Sequence, residues 1–183
     1  MAAILGLDDE QVIAVCTGAA TGEVVTAVNF NSPGQVVIAG HAAAVERAVE
    51  AAKEAGAKRA LLLPVSVPSH CSLMMPAAEQ LAARLAEITI TPPAIPVLNN
   101  VDVKAESDPV AIRDGLKRQL FCPVRWVETI NAISKQNIQQ VVECGPGKVL
   151  AGLNKRINRE MTAYTTSDVA GFDKALQAIQ GGD

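Results

Sequence analysis

His70 lies in "LPVSVPSHCSLM", residues 63–74, after a Val/Leu-rich run and among prolines, hydroxyls and a thiol. A histidine in a loop just past a strand end stands where α/β sheets present reactive side chains. Histidine is the residue type most often used to take a proton from an alcohol or thiol as a general base. The same position also suits an imidazole satisfied by backbone partners, and position alone leaves both open. Ser66, Ser69 and Ser72 are close in sequence, but adjacency does not align a hydroxyl with the ring. A serine nucleophile is normally raised on an elbow such as G-x-S-x-G, and that pattern is absent from the sequence. Gly40-His41 is followed by Ala42 where a nucleophile would stand, so His41 reads as a residue at a helix start.

Other polar clusters are less committed. "NFNSPGQ" gathers Asn29, Asn31, Ser32 and Gln35 around a tight turn, which suits a hairpin as well as a ligand. "ECGPGKVL" lacks the spacing and the hydroxyl of a nucleotide-binding P-loop, and reads as a tight strand-to-helix turn near a site. Two histidines and scattered thiols make a metal site improbable. Lys53, Lys58, Arg59, Lys155, Arg156 and Arg159 form small basic islands, ordinary solvated faces unless an acidic partner uses them.

These residues need a scaffold. "MAAILGL" is a strand, and "DDEQVIAVCTG" a helix with Val12, Ile13, Val15 and Cys16 as its stripe and Gly18 as its stop. "EVVTAVNF" and "QVVIAG" are β-branched runs joined by the turn Asn31–Gly34. "HAAAVERAVEAAKEAG" places Val45, Ala48, Val49 and Ala52 on one helical face, and "AKRALLLPV" supplies another strand. The order β-α-β-β-α-β over residues 1–66 is the ferredoxin-like arrangement of an α+β small subdomain. Residues 67–183 differ. Helices fit "PAAEQLAARLAEI", with Leu81, Leu85 and Ile88 inward, "SDPVAIRDGLKRQL", "VRWVETINAISKQ", "GKVLAGLNKRI" and "DVAGFDKALQAI". Short strands fit "AIPVLNN", a buried "QQVVECG" and "TAYTTS". Strands alternating with helices imply a short parallel sheet. So few strands cannot cover so many helices, and strands near residues 95–100 and 140–144 should have neighbours outside this sequence.

Composition narrows the function. The 183 residues are 49% apolar but only 3% aromatic, so the core is Ala, Val, Leu and Ile. Mean hydropathy of +0.22 argues against disorder. Net charge of −3 with one Trp and one Tyr argues against nucleic acid as the main partner. No apolar run approaches the roughly 18 residues of a membrane span, and "MAAILGLDDE" is too short for an export signal. Cys16, Cys71, Cys122 and Cys144 share no paired spacing, so free thiols and a cytoplasmic location are expected.

Five blocks carry a resemblance: "VNFNSPGQVVIAG", "AKRALLLPVSVPSHCSLM", "VLNNVDVK", "IRDGLKRQLFCPVRW" and "ECGPGKVL". In order, and over essentially the whole sequence, they are similar to the C-terminal part of the bacterial malonyl-CoA:acyl carrier protein transacylase family of type II fatty-acid synthesis. That family implies an α/β-hydrolase-like acyltransferase core interrupted by a ferredoxin-like subdomain. It also implies ping-pong malonyl transfer from coenzyme A, through an acyl-serine, to the phosphopantetheine thiol of acyl carrier protein. By the resemblance, His70 matches the family's histidine base, and the backbone carbonyl of Gln119 would hold its second ring nitrogen. Asn29 and Asn31 match a loop beside the acyl pocket. No permanently bound cofactor is implied; malonyl-CoA enters as a substrate.

The family's "GQGSQ" block, its "GHSxG" elbow with the nucleophile, and the arginine that pairs with the malonyl carboxylate have no match here. A C-terminal piece is therefore expected, inactive alone, associating with itself or with a segment that supplies the rest. The alternative is a non-catalytic fragment or carrier-protein-docking module, with Lys58, Arg59, Lys155 and Arg156 facing the acidic carrier.

Overall fold

Asp8 opens the first helix with a reciprocal cap, its carboxylate accepting from the Gln11 N–H at 2.8 Å while the Gln11 side chain accepts from the Asp8 N–H at 3.0 Å. The computed structural model describes residues 1–181. They fall into two compact units, residues 1–129 and 130–181. The first begins with β1 (Ala2–Leu5), α1 (Asp9–Ala20), β2 (Val25–Ser32), β3 (Gln35–Gly40), α2 (Ala42–Glu54) and β4 (Arg59–Leu62). The strands form one sheet in the order β2-β3-β1-β4, every neighbouring pair antiparallel.

Strand period puts alternate residues of β3 on opposite faces, and both faces are covered. Val36 and Ile38 pack with Ile4, Val12, Cys16, Val45, Ala48 and Ala52, joining the sheet to α1 and α2. Val37 and Ala39 face the other way, with Val28, and their cover is Cys71. The residue after His70 thus plugs the second face of the sheet, which pins the loop that carries the imidazole.

Helix α1 passes Gly18, the expected stop, and ends at Ala20. The Arg47 guanidinium explains the extension: it donates to the Ala19 and Ala20 carbonyls at 3.0 and 3.1 Å, satisfying acceptors that a helix end leaves open. Ile13, expected in the buried stripe, is 47% exposed, because Val12, Cys16 and Ala19 make the packed face.

Beyond β4 the first unit continues with a 3₁₀ turn at Ser72–Met74, then α3 (Met75–Ala86), β5 (Leu98–Asn99), β6 (Lys104–Ala105), α4 (Pro109–Arg118) and the start of α5 (Trp126–Ser134). The strand expected in "AIPVLNN" shrinks to two residues, paired antiparallel with β6 rather than in a parallel sheet. Pro92, Pro93 and Pro96 fix φ and remove backbone donors. Ile95 is 77% and Val97 62% exposed, so nothing rewards extending the ladder. Ile88, expected inward, lies past the end of α3 and is exposed; Leu85 is the buried residue of that turn.

The second unit contains β7 (Gln140–Glu143), α6 (Val149–Ile157), β8 (Thr162–Thr165) and α7 (Val169–Gln180). β7 and β8 pair in parallel, Gln140 opposite Thr162 through Glu143 opposite Thr165. The expectation of a buried β7 is corrected: Gln140 is exposed and the other three residues are half-buried, because the strand has one neighbour among the described residues.

Candidate functional site

His70 is half-buried and holds a left-handed backbone, φ 67°, that few non-glycine residues adopt. The conformation is tied down on both sides. Cys71 is buried against the sheet, its Sγ donating to the Pro68 carbonyl at 3.1 Å. The His70 N–H donates to the Leu120 carbonyl at 2.9 Å, and its Nδ1 lies 2.8 Å from the Gln119 carbonyl oxygen. A carbonyl only accepts, so Nδ1 carries a proton, and in the neutral ring Nε2 is the nitrogen with the lone pair. Backbone strain at an isolated residue points to use of its side chain.

The end of helix α4 presents those two carbonyls, on the two residues that follow it, for a reason visible in its sequence. Asp108 caps the start, accepting from the Ala111 N–H at 2.9 Å, and Pro109 fills the first helical position. Gln119 is the residue after the last helical one, where carbonyls have no partner within the helix. The loop of His70 provides two donors for them. The remaining donors nearby turn inward: Phe121 and Cys122 N–H groups reach the Arg118 carbonyl at 3.1 and 2.8 Å.

Asn29 and Asn31 lie on β2, each beside a register shift, between Ala27 and Asn29 and between Phe30 and Ser32. Bulges of this kind re-aim side chains. The outer edge of β2 is covered at that point by residue 124: Val124 donates to the Val28 carbonyl at 2.8 Å, and Phe30 donates to the Val124 carbonyl at 3.0 Å. The segment leaving α4 therefore joins His70 at one end and Asn29 at the other. Both asparagines are half-buried. Gln119 also lines a cavity of about 260 Å³ walled by Val97, Leu98, Asn99, Ile112 and Leu116.

Two features near the site escaped the sequence. The Leu120 carbonyl was not foreseen, because backbone acceptors carry no residue signature. Nor was the ion pair of Arg118 with Asp102, at 2.7–2.8 Å, whose signal was only an arginine preceding Gln119. Ser66 and Ser72 are exposed and Ser69 half-buried. Lys58 and Arg59 are exposed at the start of β4 in the first unit, and Lys155 and Arg156 are exposed in the last turn of α6 in the second. The helix start after "ECGPG" is occupied by Glu143, whose carboxylate accepts from the Leu150 and Ala151 N–H groups at 3.2 and 2.8 Å. No group of three or more His, Cys, Asp or Glu that could hold a metal occurs among the described residues.

The model of the acyl transferase domain matches residues 3–177. A malonyl CoA-acyl carrier protein transacylase of Salmonella typhimurium is 57% identical over 176 residues, covering 96% of this chain and 57% of that protein. A solved malonyl-transacylase, in complex with its type II PKS acyl-carrier protein, is 54% identical with a TM-score of 0.95, over 97% of this chain and 57% of that one. An acyl carrier protein S-malonyltransferase structure from Vibrio cholerae is 59% identical with a TM-score of 0.92, over 94% of this chain and 56% of that one. The chain thus spans a little over half the length of the relatives it matches. Its match over nearly all of its own length, at this identity, makes the chain a member of the acyl transferase domain family.

Proposed function

We propose that the activity this chain serves is malonyl transfer from coenzyme A to the phosphopantetheine thiol of acyl carrier protein, with His70 as general base and the nucleophile supplied by another stretch of polypeptide. The supporting observation is the 2.8 Å contact between His70 Nδ1 and the Gln119 carbonyl oxygen. It fixes the tautomer a base needs and leaves Nε2 to move the proton. A serine hydroxyl attacks the malonyl thioester carbonyl while Nε2 accepts its proton; the C–S bond breaks and that proton passes to the departing coenzyme A thiolate. The carrier's thiol then attacks the acyl-serine, losing its proton to Nε2, which returns it to the serine oxygen. Gln119 keeps Nδ1–H oriented through both halves. No bound cofactor or metal takes part, and malonyl-CoA is consumed as a substrate.

Asn29 and Asn31, on their bulged strand, border the acyl site. Residues 1–66 form a ferredoxin-like subdomain, a reading supported by the β2-β3-β1-β4 antiparallel order. Residues 67–183 belong to an α/β-hydrolase-like core. Lys58 and Arg59, and separately Lys155 and Arg156, offer positive charge to an acidic carrier. That charge also motivates a second function, a carrier-docking module without catalysis.

Intact-mass analysis after incubation with malonyl-CoA should show the isolated chain unmodified. A malonyl group on one of its serines would overturn the missing-nucleophile part. Mixing the chain with a polypeptide bearing a "GHSxG" elbow should give transfer to holo-acyl carrier protein, and His70→Ala should lower that rate by about 10²–10⁴-fold. Unchanged turnover in His70→Ala would remove the base. Salt-sensitive carrier binding without transfer in the mixture would favour the docking module.

A further inference from the structure

Arg118, the last residue of α4, meets Asp102 fork to fork: Nη1 donates to Oδ1 at 2.8 Å and Nη2 to Oδ2 at 2.7 Å. Its Nε donates to Asp114 at 2.5 Å, one helical turn earlier. Both partners of the fork are half-buried, with side chains 30% and 22% exposed. Bidentate geometry of this kind fixes direction as well as distance, which a surface lysine pair does not.

Asp102 is itself held in a tight turn. Its N–H donates to Asn99 Oδ1 at 2.7 Å, and Val103, at φ 58°, donates to the Asn99 carbonyl at 3.0 Å. The same turn is tied to the chain beyond Gln119. The Arg125 N–H reaches the Asn100 carbonyl at 3.3 Å, Arg125 Nη1 the Val101 carbonyl at 3.3 Å, and Thr129 Oγ1 donates to Asn100 Oδ1 at 3.1 Å. Residues 99–103 are therefore anchored to position 118 on one side and to positions 125 and 129 on the other. Gln119 and Leu120, whose carbonyls accept from the His70 ring and backbone N–H, lie in the span between those anchors.

We propose that Asp102 and Arg118 are positioning residues, which hold the end of α4 so that Gln119 and Leu120 fix His70 in one ring orientation and one tautomer. The consequence for acyl transfer rests on His70 being the base, but the positioning itself does not. Without the Asp102 carboxylate, Arg118 keeps only Asp114 on its own helix, and the turn no longer restrains the helix end. The Gln119 carbonyl then drifts from Nδ1, and the ring is free to carry its proton on Nε2.

The two histidines make the test internal. His41 Nδ1 accepts from the Val24 N–H at 2.9 Å, so its proton sits on Nε2, opposite to His70. Long-range proton–nitrogen spectra of the ¹⁵N-labelled chain, in buffer alkaline enough to keep both rings neutral, read each tautomer. The unaltered chain should show His70 as Nδ1–H and His41 as Nε2–H. Asp102→Asn should lose the single His70 tautomer with His41 unchanged, and Arg118→Lys, which keeps the charge but not the fork, should do the same. Asp114→Asn should leave His70 as it was. If Asp102→Asn unfolds, seen as loss of the His41 signature, Arg118→Lys decides. A His70 that stays Nδ1–H in the folded variants overturns the inference, as does an unaltered chain without that tautomer. No substrate is present, so failure of malonyl transfer and failure of positioning are separate outcomes.

Discussion

Among the residues with chemistry to spare, the four thiols differ most in what surrounds them. Burial pushes the Cys16 thiol up to about 12, and burial is also the main cause raising Cys71 and Cys122. Cys144 is exposed. Only the thiolate reacts with an alkylating agent, so reactivity follows access and ionisation together. Iodoacetamide at mildly alkaline pH should therefore modify Cys144 first, with Cys16 and Cys71 labelled only after denaturation; peptide mass mapping reads the order. Asp102 gives a pH counterpart. Hydrogen bonds from Arg118 hold its carboxyl below the usual carboxylate range. A lowered native value means the charged form is favoured by folding. The stability it contributes is present above about pH 4, the unfolded range, and is lost as pH falls through the native value. Urea midpoints followed from pH 7 down to pH 3 should fall, and Asp102→Asn should flatten that fall. An unchanged slope would mean other carboxylates dominate acid sensitivity.

At the scale of elements, two glycines should respond to alanine with opposite signs. A Cβ at Gly18 meets nothing within 4 Å inside α1, so Gly18→Ala should stabilise by about 0.5–1 kcal/mol through helix propensity. A Cβ at Gly40 would sit 1.9 Å from the Val24 carbonyl oxygen, where the His41 N–H also bonds. Backbone has to move there, so Gly40→Ala should cost at least about 1–3 kcal/mol, and urea melts of the two variants read the difference. Gly18 also shows why sequence patterns located α1 but not its end. Propensity marks a glycine as a stop, yet the acceptors it would expose are met by Arg47, 27 and 28 positions later in the chain. Local signals carried α2, α4 and the hairpin at Asn31–Gly34 because caps, stripes and turn residues act within a few positions. β5 failed for the opposite reason: "AIPVLNN" has strand composition, but pairing needs a neighbour, and the residues offer only β6. The site divides the same way. His70 was visible as a histidine after a strand, and Gln119 only through resemblance, since a carbonyl acceptor 49 positions away leaves no trace in residue type.

For the whole molecule, exposed apolar surface is the property that local patterns do not settle. Val169, Phe172, Leu176 and Ile179 recur every three or four residues on α7 and all are exposed, Val169 at 78%. Ala175 is the buried residue of that helix, so a second apolar stripe runs beside the packed one. Within the same unit, β7 and β8 are each other's only strand neighbours among the described residues, leaving an open edge on both. Unpaired edges and contiguous apolar stripes favour association. Val149 and Leu150 at the start of α6 add to that surface, and in the first unit Leu61 and Leu62 stand exposed on β4, the sheet's edge strand. At tens of micromolar the chain should sediment above its 19.1 kDa mass and bind a fluorescent apolar dye. Replacing Phe172 and Ile179 by glutamate should lower both signals without lowering the melting temperature, because both residues are more than half exposed. A wild-type chain that sediments as a compact monomer, dark to the dye and melting in one sharp step, would show these stripes to be tolerated surface; a dimer unaffected by the α7 substitutions would place the contact on another face.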